Sequence, residues 1–181
     1  PAASGGTLTV AGNWTNSGTF THNSGLVTFD GTGAQTLTGE PFYNLTINNT
    51  HAAPDDTNDV ESSVAVTVTN ALTVTDGQFS YFTASDVNGS VTIAAIGILK
   101  PAASGGTLTV SGNWTNSGTF THNSGTVEFD TSAATITPST ATFFNVTFPT
   151  AVTKTIANSN TLTVAGTLTL TDGSINQTTI P

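Results

Sequence analysis

The sequence predicts an all-β protein: a β-solenoid of short strands wound from two tandem repeats. Three observations carry this reading. Short runs alternate apolar and polar residues with a period of two, which is the strand signature. Gly, Asn and Asp interrupt these runs at short intervals. A block of thirty residues also recurs one hundred positions later. No stretch carries the 3.6-residue period of a helix.

The repeat sets the organisation. Residues 1–30 and 101–130 differ only at Ala11/Ser111, Leu26/Thr126 and Thr28/Glu128. Similarity continues more loosely through Phe42-Tyr43-Asn44-Leu45-Thr46, matched by Phe143-Phe144-Asn145-Val146-Thr147, and through Leu72–Gly77, matched by Leu168–Gly173. Nothing in the second repeat corresponds to Gly89–Lys100. The predicted units are therefore residues 1–100 and a shorter second repeat, 101–181, truncated at its C-terminal end.

Within repeat one the expected strands, in order, are 7–10, 13–15, 19–22, 26–29, 34–38, 42–47, 64–69, 71–75, 78–82 and 90–96. Each is rich in Thr, Val and aromatic residues, which suit a pleated surface, and each ends at turn-forming Gly, Asn or Asp. Strands this short and this frequent fit a solenoid, in which turns stack on one another. The alternative is two tandem immunoglobulin-like β-sandwich domains, with turn signals about every 8–12 residues. At about twenty residues per turn the solenoid has about nine turns and is about 40 Å long.

Alternation also assigns faces. Leu8, Val10, Trp14, Phe20, Val27, Phe29, Leu37, Leu45 and Ile47 form the expected core of repeat one. The intervening Thr residues point outward, as in Thr7/Thr9, Thr73/Thr75 and Thr167/Thr169. Forty of the 181 residues are Thr, and this outward half of each strand accounts for them.

Composition then excludes function classes. Two Lys and no Arg stand against eleven acids, a formal net charge of −9. Such a chain cannot displace counterions from nucleic-acid phosphates and has no basic patch for anionic lipid. Its longest apolar run, 91–99, is far shorter than the about twenty residues of a membrane-spanning helix. With no Cys there is no disulfide framework or thiolate metal site. The chain starts at Pro1 without a signal peptide, so it is expected to be a processed or excised piece of something longer.

The segments GNWTNSGTFTHNSG (12–25 and 112–125), AQTLTG (34–39) and FYNLTINN (42–49) resemble the repeats of large secreted or surface bacterial proteins of adhesin-like type. The resemblance covers most of both repeats. It implies β-helical units at a cell surface or outside the cell, and no catalytic residues.

Candidate chemistry is sparse. His22 and His122 occupy equivalent turns without further His or Cys partners. Asp55, Asp56, Asn58, Asp59 and Glu61 could supply oxygens to Ca²⁺ from one loop, although the spacing is not an EF-hand and repeat two lacks the loop; a plain solvated insertion is the competing reading. Asp30 and Asp76 could approach across turns as a carboxylate pair, but no cationic partner accompanies them and GxSxG is absent. No enzyme is expected. Sequons at Asn13, Asn44, Asn48, Asn88, Asn113, Asn145 and Asn176 are compatible with attached glycans.

The expected function is structural: an extracellular filament, sheath or cell-surface layer built from copies of the chain. The expected contact is head to tail, with Thr178, Ile180 and Pro181 of one copy meeting Pro1, Leu8 and Val10 of the next. The alternative is an adhesin, or a carbohydrate- or ice-binding module using Thr-rich faces. Irregular insertions are expected to interrupt those faces.

Overall fold

The computed structural model describes residues 5–39, 41–51, 59–130, 133–149, 151 and 153–177. They form a β-solenoid of about eight turns, with no helix and with parallel strand pairing throughout. The first repeat contributes β1 (Thr7–Val10), β2 (Trp14–Thr15), β3 (Leu26–Phe29), β4 (Gln35–Thr38), β5 (Phe42–Asn48), β6 (Val60–Ser62), β7 (Thr67–Tyr81), β8 (Ser85–Val87) and β9 (Ser90–Pro101). The second contributes β10 (Thr107–Val110), β11 (Trp114–Asn116), β12 (Thr119–Phe120), β13 (Thr126–Phe129), β14 (Thr135–Thr137) and β15 (Thr142–Phe143). It continues with β16 (Asn145–Phe148), β17 (Thr153–Ile156), β18 (Thr163–Val164), β19 (Leu168–Leu170) and β20 (Ser174–Gln177).

The strands stack in three ladders. The first runs β1, β3, β5, the middle of β7, the start of β9, β11, β14, β17 and β20. The second runs β2, β4, β6, the end of β7, the end of β9 and β12; the separate β15–β18 pair continues along its course. The third runs from Phe42 of β5 through the start of β7, then β8, β10, β13, β16 and β19. Three expected strands of repeat one, 64–69, 71–75 and 78–82, thus belong largely to one long strand, β7, that bends through all three ladders. Two strands were not expected: β8, and β6 within the acidic segment. Thr19–His22 is not a strand, whereas its counterpart in repeat two contains β12 and pairs with Ile98 and Leu99 beneath it.

The turns are uneven, which is why there are about eight instead of nine. Leu26 aligns with Asn44, a turn of eighteen residues, whereas Asn44 aligns with Ala71, a turn of twenty-seven. The extra length falls between β5 and β6; Asn44–Ile47 still pair one for one with Ala71–Val74, with register shifts on either side of that run.

The repeat length does not match a whole number of turns. First-ladder segments begin at Thr7, Leu26, Asn44, Ala71 and Ser90, four turns in all, and the chain then passes the second ladder before β10 joins the third. Near-identical strands are therefore displaced by one ladder. β1 stands in the first and its counterpart β10 in the third; β2 stands in the second and its counterpart β11 in the first.

The core lies inside the coil. Val27, Phe29, Leu37, Leu45 and Ile47 are fully buried, as their inward positions require. Leu8 corrects the expectation: it is 37% exposed, and Val10, Trp14 and Phe20 are only half-buried. Their counterparts Leu108, Val110 and Trp114 are 0% exposed and Phe120 8%. The residues are the same; the difference is that repeat two has a turn beneath it. Aromatic packing survives in both copies, with Trp14–Phe20 and Trp114–Phe120 edge-on at 5.0 Å.

Polar groups line one interior corner. Asn49 is fully buried. Its Nδ2 donates to Gly33 O (2.9 Å) and Gln35 Oε1 (2.9 Å) and shares a hydrogen with Asp59 O (3.2 Å), and its Oδ1 accepts from His51 N (2.8 Å). Gln35 Nε2 continues the chain of bonds to Val10 O and Gly12 O. These bonds satisfy backbone groups that the wide corner would otherwise leave without partners.

Candidate functional site

The expected calcium loop is only partly described. Asp55, Asp56 and Asn58 lie outside the described residues. Asp59 is turned into the corner: its Oδ2 accepts from Gln78 N (2.7 Å) and its Oδ1 lies 3.1 Å from His51 Nδ1. The reading of this segment as a plain solvated insertion is corrected for its C-terminal part. Val60 and Ser62 are buried because β6 completes the second ladder between β4 and β7. Glu61, between them, faces outward. Among the described residues no group of three or more His, Cys, Asp or Glu is placed to hold a metal ion.

The other candidates are also placed. His22 and His122 are half-buried at turns, each Nδ1 accepting from the N–H two residues on, with the rings against Tyr43 and Phe144. Asp30 and Asp76 sit at the end of the first ladder, separated by the turn that carries Asn48. Lys154 is 0% exposed. Burial pulls its amine below the ordinary lysine range and the charge of Asp130 pushes back.

A groove of about 370 Å³ opens between residues 116–122 and 140–142. It exists because β12 and β15 do not pair, although Phe120 and Phe143 still touch at 5.2 Å. The cause is the changed corner of repeat two. In repeat one Trp14 Nε1 donates to Gly39 O (3.0 Å); in repeat two Pro138 stands there, its carbonyl takes Asn116 Nδ2 (3.2 Å), and Trp114 Nε1 is buried without a partner.

Two surfaces stand out. The first is the edge formed by β1, β2 and residues 17–21. Its duplicate in repeat two is docked onto repeat one: Leu108 over Ser85, Val110 over Val87, Trp114 over Val91 and Phe120 over Leu99. Ser111 N donates to Val87 O, Gly112 N to Gly89 O, Ser117 N to Ile93 O and Thr121 N to Leu99 O. Ala11, Gly12, Ser17 and Thr21, the counterparts, carry no such bond among the described residues. The glycines show the same contrast. A Cβ on Gly118 would lie 2.1 Å from Ala94 O and one on Gly112 2.5 Å from Gly89 C, whereas one on Gly12 meets nothing within 4 Å and one on Gly18 only Asn16 Oδ1 at 3.9 Å. Alternation marks Leu8 and Val10 at this edge but not Gly12 and Gly18, because only the docked copy shows how closely the backbones approach. At the opposite end, Leu168 and Leu170 of the last described turn are 42% and 45% exposed. Pro1, Thr178, Ile180 and Pro181 lie outside the described residues.

The second surface is a column of threonines on the first ladder. Thr9, Thr28, Thr46, Thr73, Thr92, Thr115 and Thr137 align in register, one per turn. The insertions do not interrupt it, contrary to expectation: Thr46 and Thr73 align across the longest turn. None of these hydroxyls bonds another described residue. The outward positions aligned with Thr7 and Thr9 carry no charge in any described turn, whereas the third ladder carries Asp86 and Glu128 outward. Thr28 and Glu128 are repeat equivalents, so the one-ladder displacement puts the charged variant on a different side.

Compared with known proteins, the chain matches no family model, no curated protein and no solved structure.

Proposed function

We propose that the chain is a non-enzymatic structural protein, a building block or stretch of an extracellular filament, sheath or cell-surface layer, assembled head to tail through its open β edges. One observation carries the reading. Residues 7–20 form an exposed edge whose near-identical copy, 107–120, already docks onto a β turn inside the same molecule. The internal junction is a template for the 7–20 side of an external one; the other side differs in sequence, because the second repeat carries no counterpart of Gly89–Lys100, the segment that 107–120 covers. Its chemistry suits a second copy: unpaired strand edge, a half-exposed Leu–Val–Trp–Phe row, and glycines that let backbone approach backbone. A heterologous contact of this kind propagates as an open filament. The scarcity of charge, 7% of residues, limits repulsion between stacked copies.

The test is the mass of the 181-residue chain against concentration, by light scattering. Head-to-tail assembly gives a mass that climbs with concentration. Gly18→Ala should retain the monomer fold and lose that climb, since its Cβ fits the free edge but not a docked one. A wild-type mass fixed at the monomer value overturns the proposal.

A second reading, a surface adhesin or a glycan- or ice-binding module, draws on the threonine column. A glycan array and a thermal-hysteresis assay test it, and binding in either that is lost in Thr73→Lys would favour it.

A further inference from the structure

We infer that the first-ladder threonine column is a lateral pairing surface for a second copy of this chain, face to face, with the two rods parallel. The inference deepens the assembly reading and shares its premise that the partner is another copy.

The column repeats at the strand spacing, about 4.8 Å. A partner that follows seven successive hydroxyls must carry the same period, and a second copy does so by construction. Identical small side chains facing one another from two sheets can interdigitate without voids. Charge favours this side over the third ladder. The molecule is strongly acidic, yet the outward positions aligned with Thr7 and Thr9 are neutral in every described turn. Pairing through the third ladder would instead bring Asp86 and Glu128 toward their own copies. No aromatic side chain stands at those first-ladder positions, which removes the stacking platform that a sugar ring would use.

Area is adequate. Nine strands at about 4.8 Å and four residues at about 3.3 Å give a face of about 43 by 13 Å. Two such faces cover about 1,100 Å², just above the about 1,000 Å² expected of a specific contact.

The corner acids choose the orientation. Asp30 and Asp76 both lie at one edge of the ladder. A two-fold axis across the rods would set that edge against itself and bring Asp76 near its own copy. A two-fold axis along the rods sets it against the opposite, neutral edge, where Leu26, Asn44 and Ala71 stand. In that arrangement each threonine faces its own counterpart at the same level.

The absence of Cys makes single-cysteine reporters clean. Thr28→Cys and Thr73→Cys are treated with a bismaleimide spanning about 10 Å, the distance between packed sheets, with Thr109→Cys on the third ladder as control. Both first-ladder variants should cross-link to dimers, more strongly in added salt as the net charge is screened, and Thr109→Cys should not. Introducing Thr73→Lys into Thr28→Cys should lower the cross-linked fraction about tenfold, with the circular dichroism of the monomer unchanged. Cross-linking of Thr73→Cys but not Thr28→Cys overturns the parallel arrangement. No cross-linking of either overturns the pairing, as does a labelled protein that stays unpaired while adsorbing to ice or to crystalline polysaccharide. Gly18→Ala separates the two readings: it removes end-to-end growth and leaves the Thr28→Cys cross-link intact.

Discussion

The same leucine in two copies of one strand should differ in what it contributes, and Leu108→Ala against Leu8→Ala measures that difference. Leu108 is 0% exposed, held between Ser85 beneath and Val127 above. Its truncation removes transfer energy and leaves a closed cavity, a cost of about 2–5 kcal/mol. Leu8 aligns with Val27 on one side only and is 37% exposed. Water fills the space its truncation leaves, so only part of the transfer term is lost, about 1 kcal/mol. The gap between the variants should be about 2 kcal/mol in dilute solution. Solenoids unfold with near-neighbour cooperativity and need not be two-state. Urea unfolding should therefore be paired with amide exchange of peptides covering 5–15 and 105–115. At high concentration the cost of Leu8→Ala should grow, because assembly stabilises the wild type by mass action. Equal costs in dilute solution would refute the reasoning, since Leu8 would then be covered without a partner.

Other outcomes follow from the same geometry. Thr9→Pro should preserve the monomer and stop end-to-end growth: Gly6 O and Val10 O face the next turn, so by alternation the Thr9 N–H faces the open edge, and light scattering reads the loss. Asn49→Ala should cost about 2–4 kcal/mol in urea unfolding, because it strips partners from Gly33 O, Asp59 O and His51 N. Asp86→Asn should stabilise the fold at pH 7 and not at pH 3. Burial first, then the charge of Asp130, raises the Asp86 carboxyl above its usual range against an opposing Asn88 hydrogen bond. The folded state therefore holds that proton more tightly than the unfolded chain. Ionised Asp86 subtracts from stability as pH rises through this raised value, and the deficit disappears below the unfolded value of about 3.9. Thermal midpoints at the two pH values check it.

Much of the fold was legible because alternation is a local signal. Val27, Phe29, Leu37, Leu45 and Ile47 point inward wherever their strands sit. Leu8, Val10, Trp14 and Phe20 follow the same pattern and are less buried, since periodicity cannot report whether a turn lies beneath. The threonine column was half legible: alternation turns Thr28 and Thr46 outward, but alignment across turns of eighteen and twenty-seven residues depends on strand pairing that spacing alone does not give. The interior polar corner escaped notice, because Gln35, Asn49 and Asp59 gain their partners from distant backbone and have no spacing of their own. Lys154 did carry a signal, standing at the inward position beside Ile156 in TKTI. The displacement of the two repeats by one ladder needs the turn count, which sequence similarity alone does not supply.

In the proposed assembly the free edge at residues 7–20 receives the C-terminal end of another copy. Electron cryo-microscopy of the concentrated wild-type chain tests it most directly. Continuous rods far longer than the about 40 Å of one molecule are expected, with the about 4.8 Å turn spacing running unbroken across each junction. Discrete particles of single-molecule length, with the edge at Leu8 uncovered at the highest concentration, would contradict it.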